Sequence, residues 1–180
     1  SLAIYPLVYP QLPFDWQRDL ASVSMVTTTP ELIVTHPALP VKNIAELVAF
    51  AKARPGELVY ASTGMWGSAH LCMESFNALA GVKMLHVPYK GEGPALMDIS
   101  ANRVDVFFGN ISAALRFQKS GQVKFLGVTS RSRSAVSPET PDAAEFGMPD
   151  LIASAWFAMV APPGTPEPVV QKINVDTVAA

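Results

Sequence analysis

Three short stretches of this chain put glycines and hydroxyl or amide side chains where a strand reads into a helix, and that is where binding chemistry belongs. The first is STGMWGS, Ser62 to Ser68. Gly64 and Gly67 let backbone approach a ligand, and Ser62, Thr63 and Ser68 bring hydroxyl donors. Helix starts carry unpaired N–H groups and about half a positive charge, a combination that suits an anion. The second stretch is VPYKGEGPALMD, in which Tyr89 and Lys90 either face a crevice or cover it, and Gly91 and Gly93 precede a helix. The third is FFGN, where Asn110 either caps the next helix or reaches a ligand. Trp66, inside the first loop, and Trp156, far along the chain, are candidate apolar walls.

Catalytic patterns are missing. No GxSxG elbow is present, the STGMWGS loop lacks a Walker ending, and His36, His70 and His86 have no metal-ligand spacing. His70 falls in the first turn of a helix, where a neutral imidazole with a hydrogen-bonded partner is expected. The single cysteine, Cys72, occupies an apolar-periodic helix position and reads as packing, and it rules out an intrachain disulfide. The acids read mostly as helix-face or turn residues. Asp105, inside VDVFF, reads as pairing locally. No catalytic residue, metal or cofactor is expected.

The elements that must position these junctions follow from periodicity and breakers. Residues 1–19 read as irregular, interrupted by Pro6, Pro10 and Pro13. Ala21–Val26 and Glu31–Thr35 read as two strands separated by TTTP. A helix opens at Asn43, with Glu46 three residues on in a capping-box arrangement, and Pro55 and Gly56 stop it. Strands at Glu57–Ala61, Met84–Val87, Val104–Phe108 and Lys124–Val128 then alternate with helices at Ser68–Ala80, Pro94–Ala101 and from Asn110 toward Gly121. That alternation predicts an α/β unit with a largely parallel sheet, in which ligands collect at the carboxyl ends of the strands. Beyond Ser130 a polar loop, a short helix at Ala143–Phe146, a strand at Ala155–Ala161 and a helix from about Pro166 complete the reading.

Composition sets the outer limits. A chain of 180 residues, 49% hydrophobic and 16% charged, can bury a core. A formal net charge of −2 with dispersed basic residues argues against nucleic acid as a partner. No apolar run approaches the ~18 residues of a spanning helix, and the opening SLAIYPLVYP is not a leader, so an exported protein would have lost its signal.

At these junctions the sequence closely resembles the Bug family of periplasmic solute-binding receptors, the TctC-like components of tripartite tricarboxylate transport. The resemblance runs through TTTPELIVTHPALPVKNIAELVAFAKARPGELVYASTG, HLCMESFNALAGVKMLHVPYKGEGPALMDI, VDVFFGNISAALRFQKSGQVKFLGVTS and SAWFAMVAPPGTPEPVVQKIN, in family order. It implies a two-lobed, periplasmic binding protein type II-like α/β fold with a small carboxylate held between lobes, no catalytic residues, a periplasmic location and membrane transporter subunits as partners. Residues 37–129 would form one complete lobe, and 1–36 with 130–180 would be pieces of the other. Family members are longer, so half of the carboxylate clamp is expected to lie outside this sequence, and the exposed lobe surface leads to an expectation that the fragment dimerises. Met65 and Trp66 stand where the family has Asn and Gly, making the loop bulkier. Two other functions are weighed: the effector-binding domain of a transcription regulator, which predicts an adjoining helix-turn-helix, and a hydrolase using Ser62 or Ser68.

Overall fold

The capping signal at Asn43 sets the first helix as expected. In the computed structural model, which describes residues 4–180, Asn43 Oδ1 accepts the Glu46 amide at 2.8 Å and Glu46 takes the Lys42 amide at 2.8 Å. The return bond thus falls one residue before the cap rather than on the cap's own N–H. Helix α2, Ile44–Ala53, follows the short α1, Tyr5–Val8, and the strand β1, Ala21–Thr35. Onward come β2 (Val59–Ser62), α3 (Ser68–Ala80), β3 (Leu85–Pro88), α4 (Glu92–Ser100), β4 (Val106–Asn110), α5 (Ile111–Lys119) and β5 (Lys124–Val128). The last elements are β6 (Ser154–Ala161) and α6 (Glu167–Ala179). Gly81 ends α3 in the left-handed conformation at φ 63°, the C-terminal stop expected of it.

Four expectations need correction. The two runs flanking TTTP form one 15-residue strand, because three β-branched threonines favour extended backbone and Pro30 already has the extended geometry. Within the stretch expected to be irregular, Tyr5–Val8 forms one helical turn with proline in its first positions, where a missing N–H costs nothing; residues 1–3 lie outside the described residues. Ala143–Phe146 is a turn rather than a helix, since Asp142 Oδ1 takes the Ala144 and Glu145 amides and the apolar run beyond is too short to continue. Helix α4 starts at Glu92, two residues earlier than Pro94, so that Gly91 becomes its N-cap.

The chain divides into two compact units: residues up to Thr28 with Trp156–Ala180, and Thr29–Ala155. In the first, β6 pairs with β1, and the Asn174 amide nitrogen on α6 donates to the Val23 carbonyl at 2.7 Å. In the second, the sheet order is β3-β2-β4-β1-β5. β2 lies parallel to both β3 and β4, whereas β1 runs antiparallel to β4 and β5. The sheet is therefore mixed: four strands point one way and the reversed β1 is inserted between β4 and β5. Nothing in β1's apolar pattern distinguishes the two directions, which is why alternation with helices suggested a parallel sheet.

Alternate residues feed two cores. Ile33, Tyr60, Val106 and Phe108 face α2 and α3, where Leu47, Met73 and Phe76 are fully buried. Leu32, Val34, Ala61 and Phe107 face α4 and α5, meeting Leu96, Ile99 and Ala114. With helices on both faces, the second unit is a three-layer α/β sandwich, and α3, α4 and α5 all begin beyond the carboxyl ends of adjacent, co-directional strands.

Candidate functional site

The β2–α3 loop is shaped by two residues with positive φ, Gly64 at 134° and Trp66 at 61°, the latter a conformation that costs a non-glycine residue about 1 kcal/mol or more. Trp66 is held there: its amide donates to His70 Nδ1 at 3.2 Å, and its ring meets the His70 ring edge-on at 5.3 Å. Ser62, fully buried, ends β2 with its hydroxyl against the Gly64 amide at 3.2 Å and 2.6 Å from His86 Nε2. Thr63, Gly64, Gly67 and Ser68 are half-buried around this turn. No side chain caps α3. Its N-cap, Gly67, has none to offer, so the first-turn amides of the 13-residue helix are without a capping oxygen.

His70, predicted to be neutral with a partner, is 6% exposed and stacks on His86 at 4.2 Å, and His86 stacks in turn on Tyr60 at 4.7 Å. The Tyr60 hydroxyl donates to Glu74 at 2.6 Å. Burial lowers both imidazoles, and proximity to His70 helps bring His86 down to about 4, with Glu74 opposing the shift in each. The folded state therefore keeps both rings neutral, while an unfolded chain protonates them below about pH 6.5. Their contribution is complete above that pH and is lost as pH falls, for His86 through about 4. His86→Gln is expected to lose about 2 kcal/mol less stability than the wild type between pH 7 and 4, the ring's partial exposure being allowed for. Urea midpoints at the two pH values measure it.

At the second junction the Tyr89 hydroxyl donates to Asp98 at 2.9 Å, Lys90 is exposed, and Gly91, at φ 107°, caps α4 with no side chain. At the third, Asn110 caps α5 through Oδ1 to the Ser112 amide at 3.0 Å, and its Nδ2 donates to Thr29 Oγ1 at 3.1 Å. Trp156 belongs to the first unit, on β6, 49% exposed. The residues of the three loops are thus assembled at one sheet end within the second unit: Tyr89 N donates to the Ser62 carbonyl at 3.0 Å, and Glu92 at the start of α4 accepts the Asn110 amide at 2.9 Å.

Sequence reasoning missed two acids here. Glu31 pairs with Asn110 across the β1–β4 ladder and is 2% exposed. Thr129 Oγ1 holds its backbone, accepting the Glu31 amide at 3.1 Å and lying 2.7 Å from the Ala153 carbonyl. Burial raises the Glu31 carboxyl, the Ser68 hydroxyl offsets part of the effect, and the charge of Glu92 adds to it. Glu92 is likewise raised by burial, its bond to Asn110 opposing. The signals were present in PELIV, an acid leading an apolar strand, and in GEG, an acid between two junction glycines. Sequence reasoning also missed the Ser62–His86 pair, because the two strands that bring it together are neighbours only in space.

Cys72 is 2% exposed in the core, with its thiol pushed up to about 12 by burial and then by Glu31, which fits the packing role. Contrary to the local pairing expected of it, the Asp105 carboxylate takes the amide of Val59, 46 residues away in sequence, at 2.8 Å. Among the described residues no helix is long and apolar enough to cross a membrane.

Known proteins share this fold. The family model described as tripartite tricarboxylate transporter family receptor matches residues 1–180. Protein BugT of Bordetella pertussis is 37% identical over 173 residues, 96% of this chain and 53% of the relative. Among solved structures, one from R. palustris with adipate has a TM-score of 0.92 at 32% identity, covering 96% of this chain and 57% of that one. MatC from Rhodopseudomonas palustris with bound malate has a TM-score of 0.88 at 28% identity, covering 97% and 60%. The chain spans about half the length of the curated relatives it matches. A family model that matches every residue, a curated relative at 37% identity and a solved structure of the same fold agree: this chain belongs to the tripartite tricarboxylate transporter receptor family, which consists of solute-binding receptors rather than enzymes.

Proposed function

We propose that this chain forms part of an extracytoplasmic receptor that holds a small organic acid at the start of α3 and delivers it to a membrane transporter or sensor. The observation that carries the reading is the uncapped first turn of α3, opened by Gly64 and Gly67 beside the starts of two further helices. Amides without a capping oxygen and a helix dipole are complementary to a carboxylate, and they hold it without proton transfer. The matched structures carrying adipate and malate support a carboxylate as the ligand class. On this reading Ser62, Thr63, Gly64, Gly67 and Ser68 form the floor of the seat, Trp66 and His70 brace its loop, and Tyr89, Lys90, Gly91 and Asn110 border it.

A periplasmic location and closure of a second lobe over the seat about a hinge extend the same reading. Ser62, though 2.6 Å from His86, is fully buried, so the pair orders the loop rather than attacking a substrate. Calorimetry on the protein at its natural length, against a panel of mono-, di- and tricarboxylates, is expected to give at least one acid with micromolar affinity. No binding by any of them at millimolar concentration would contradict the receptor reading.

A further inference from the structure

The β2–α3 loop is fastened to α3 by a bond that only a neutral imidazole makes. The Trp66 amide donates to His70 Nδ1 at 3.2 Å, so that nitrogen presents a lone pair and carries no proton. A proton arriving at Nδ1 would set two donors face to face and remove the bond. The His70 ring is 6% exposed and lies on His86 at 4.2 Å, the two planes 24° apart. His86 lies in turn on Tyr60 at 4.7 Å and comes within 2.6 Å of Ser62 Oγ. The stacked rings therefore tie the loop to α3, β3 and β2, at Ser62 and again at Trp66.

Few charged groups act on the two rings. Glu74, one turn along α3, acts on both, and it also takes the hydroxyl of Tyr60 on β2 at 2.6 Å. Each imidazole faces the other across the stack, and His70 opposes a charge on His86. Glu31 on β1 acts instead on Ser68 and Cys72 of α3. Burial outweighs Glu74 and disfavours a proton on either ring. The segment held by the stack is short and able to swing. Met65, 44% exposed, and Trp66 stand between Gly64 and Gly67, and the left-handed backbone of Trp66, at φ 61°, is a conformation that its bond to His70 helps to maintain.

From this geometry we propose that the His70–His86 stack is an acid-sensitive latch: with both rings neutral the loop is closed, and protonation of His70 frees Trp66 from its left-handed backbone while the sheet and helices stay folded. Linkage sets the steepness. The open loop exposes an imidazole of ordinary pKa, near 6.5, and the closed loop holds it lower. Each pH unit below that value therefore raises the ratio of open to closed loop by about ten-fold, until the closed form itself takes the proton. His86, held down to about 4, is the later of the two to charge. The latch needs no ligand, so it stands or falls separately from the receptor reading.

The test is an amide-resolved NMR titration of the natural-length protein from about pH 7.5 to about 4.5, with the His70 ring signals followed in the same samples. The Trp66 N–H is expected to move upfield with the His70 ring, both at one midpoint below 6.5, while the Phe108 N–H of β4 stays in place. His70→Asn leaves an oxygen acceptor near the position of Nδ1 that takes no proton in this range, and it is expected to keep the Trp66 signal fixed throughout. His70→Phe keeps a ring on the stack without the acceptor, and it is expected to show the open-loop signal at about pH 7.5 already. A Trp66 N–H that stays put while His70 is protonated would overturn the proposal. So would a His70 ring that remains neutral across the range, a Trp66 signal that changes only together with Phe108 in one global transition, or a folded His70→Asn variant that still titrates. If a variant fails to fold, the coincidence of the two wild-type midpoints decides.

Discussion

Gly67→Asp is expected to weaken carboxylate binding by about 100-fold while leaving the protein as stable as before or slightly more so. Gly67 sits at φ −75°, ψ 167°, extended backbone that any residue adopts. An added Cβ would meet only the Gly64 carbonyl at 3.5 Å and Thr63 Oγ1 at 3.7 Å, ordinary contacts. Aspartate is among the best N-cap residues and differs from glycine there by a few tenths of a kcal/mol in its favour. Its carboxylate would occupy the amides that we assign to the ligand and repel a second anion, and a loss of about 2.7 kcal/mol corresponds to the 100-fold change. Calorimetry and a urea midpoint on the same sample separate the two effects. Affinity and stability moving in opposite directions is a result that damage to the fold does not produce.

Phe108→Ala is expected to cost about 3–5 kcal/mol, a large part of the roughly 5–15 kcal/mol that holds an ordinary domain together. Phe108 is fully buried on the α3 face of the sheet, its ring 5.8 Å from that of Phe76 on α3. Two residues further on is Asn110, the cap of α5. The same side chain therefore supports the helix that offers its amides and the strand that ends at the site. Urea unfolding would show the loss, and a cost below 1 kcal/mol would mean that this core can collapse around the missing ring.

The sequence made the second unit largely legible because its breakers are local. Asn43, Gly81 and Asn110 each mark a helix boundary through chemistry confined to a few residues, and the structure has each helix where those signals put it. Strand limits moved by up to two residues, as for β4, because strand ends are defined by partners distant in sequence. The direction of β1 was not legible at all. Leu32, Ile33 and Val34 alternate between two buried faces, and such a run reads identically in either direction.

The candidate site was legible as three glycine-bearing junctions, but its electrostatic character was not. Glu31 becomes a site residue only because β1 lies antiparallel beside β4, which sets it opposite Asn110. His86 becomes a loop support only because β3 is parallel to β2, placing it beside Tyr60 in the register and within reach of Ser62.

The proposed receptor function requires that the amides of Ser68, Ala69 and His70 receive a carboxylate. An amide-resolved NMR titration of the natural-length protein with the tightest acid from the calorimetric panel tests this directly. The prediction is that these three N–H signals move furthest, downfield, as charge-assisted hydrogen bonds form, and that Gly67→Asp abolishes the movement. Saturable binding that leaves the three signals in place while others shift would contradict it.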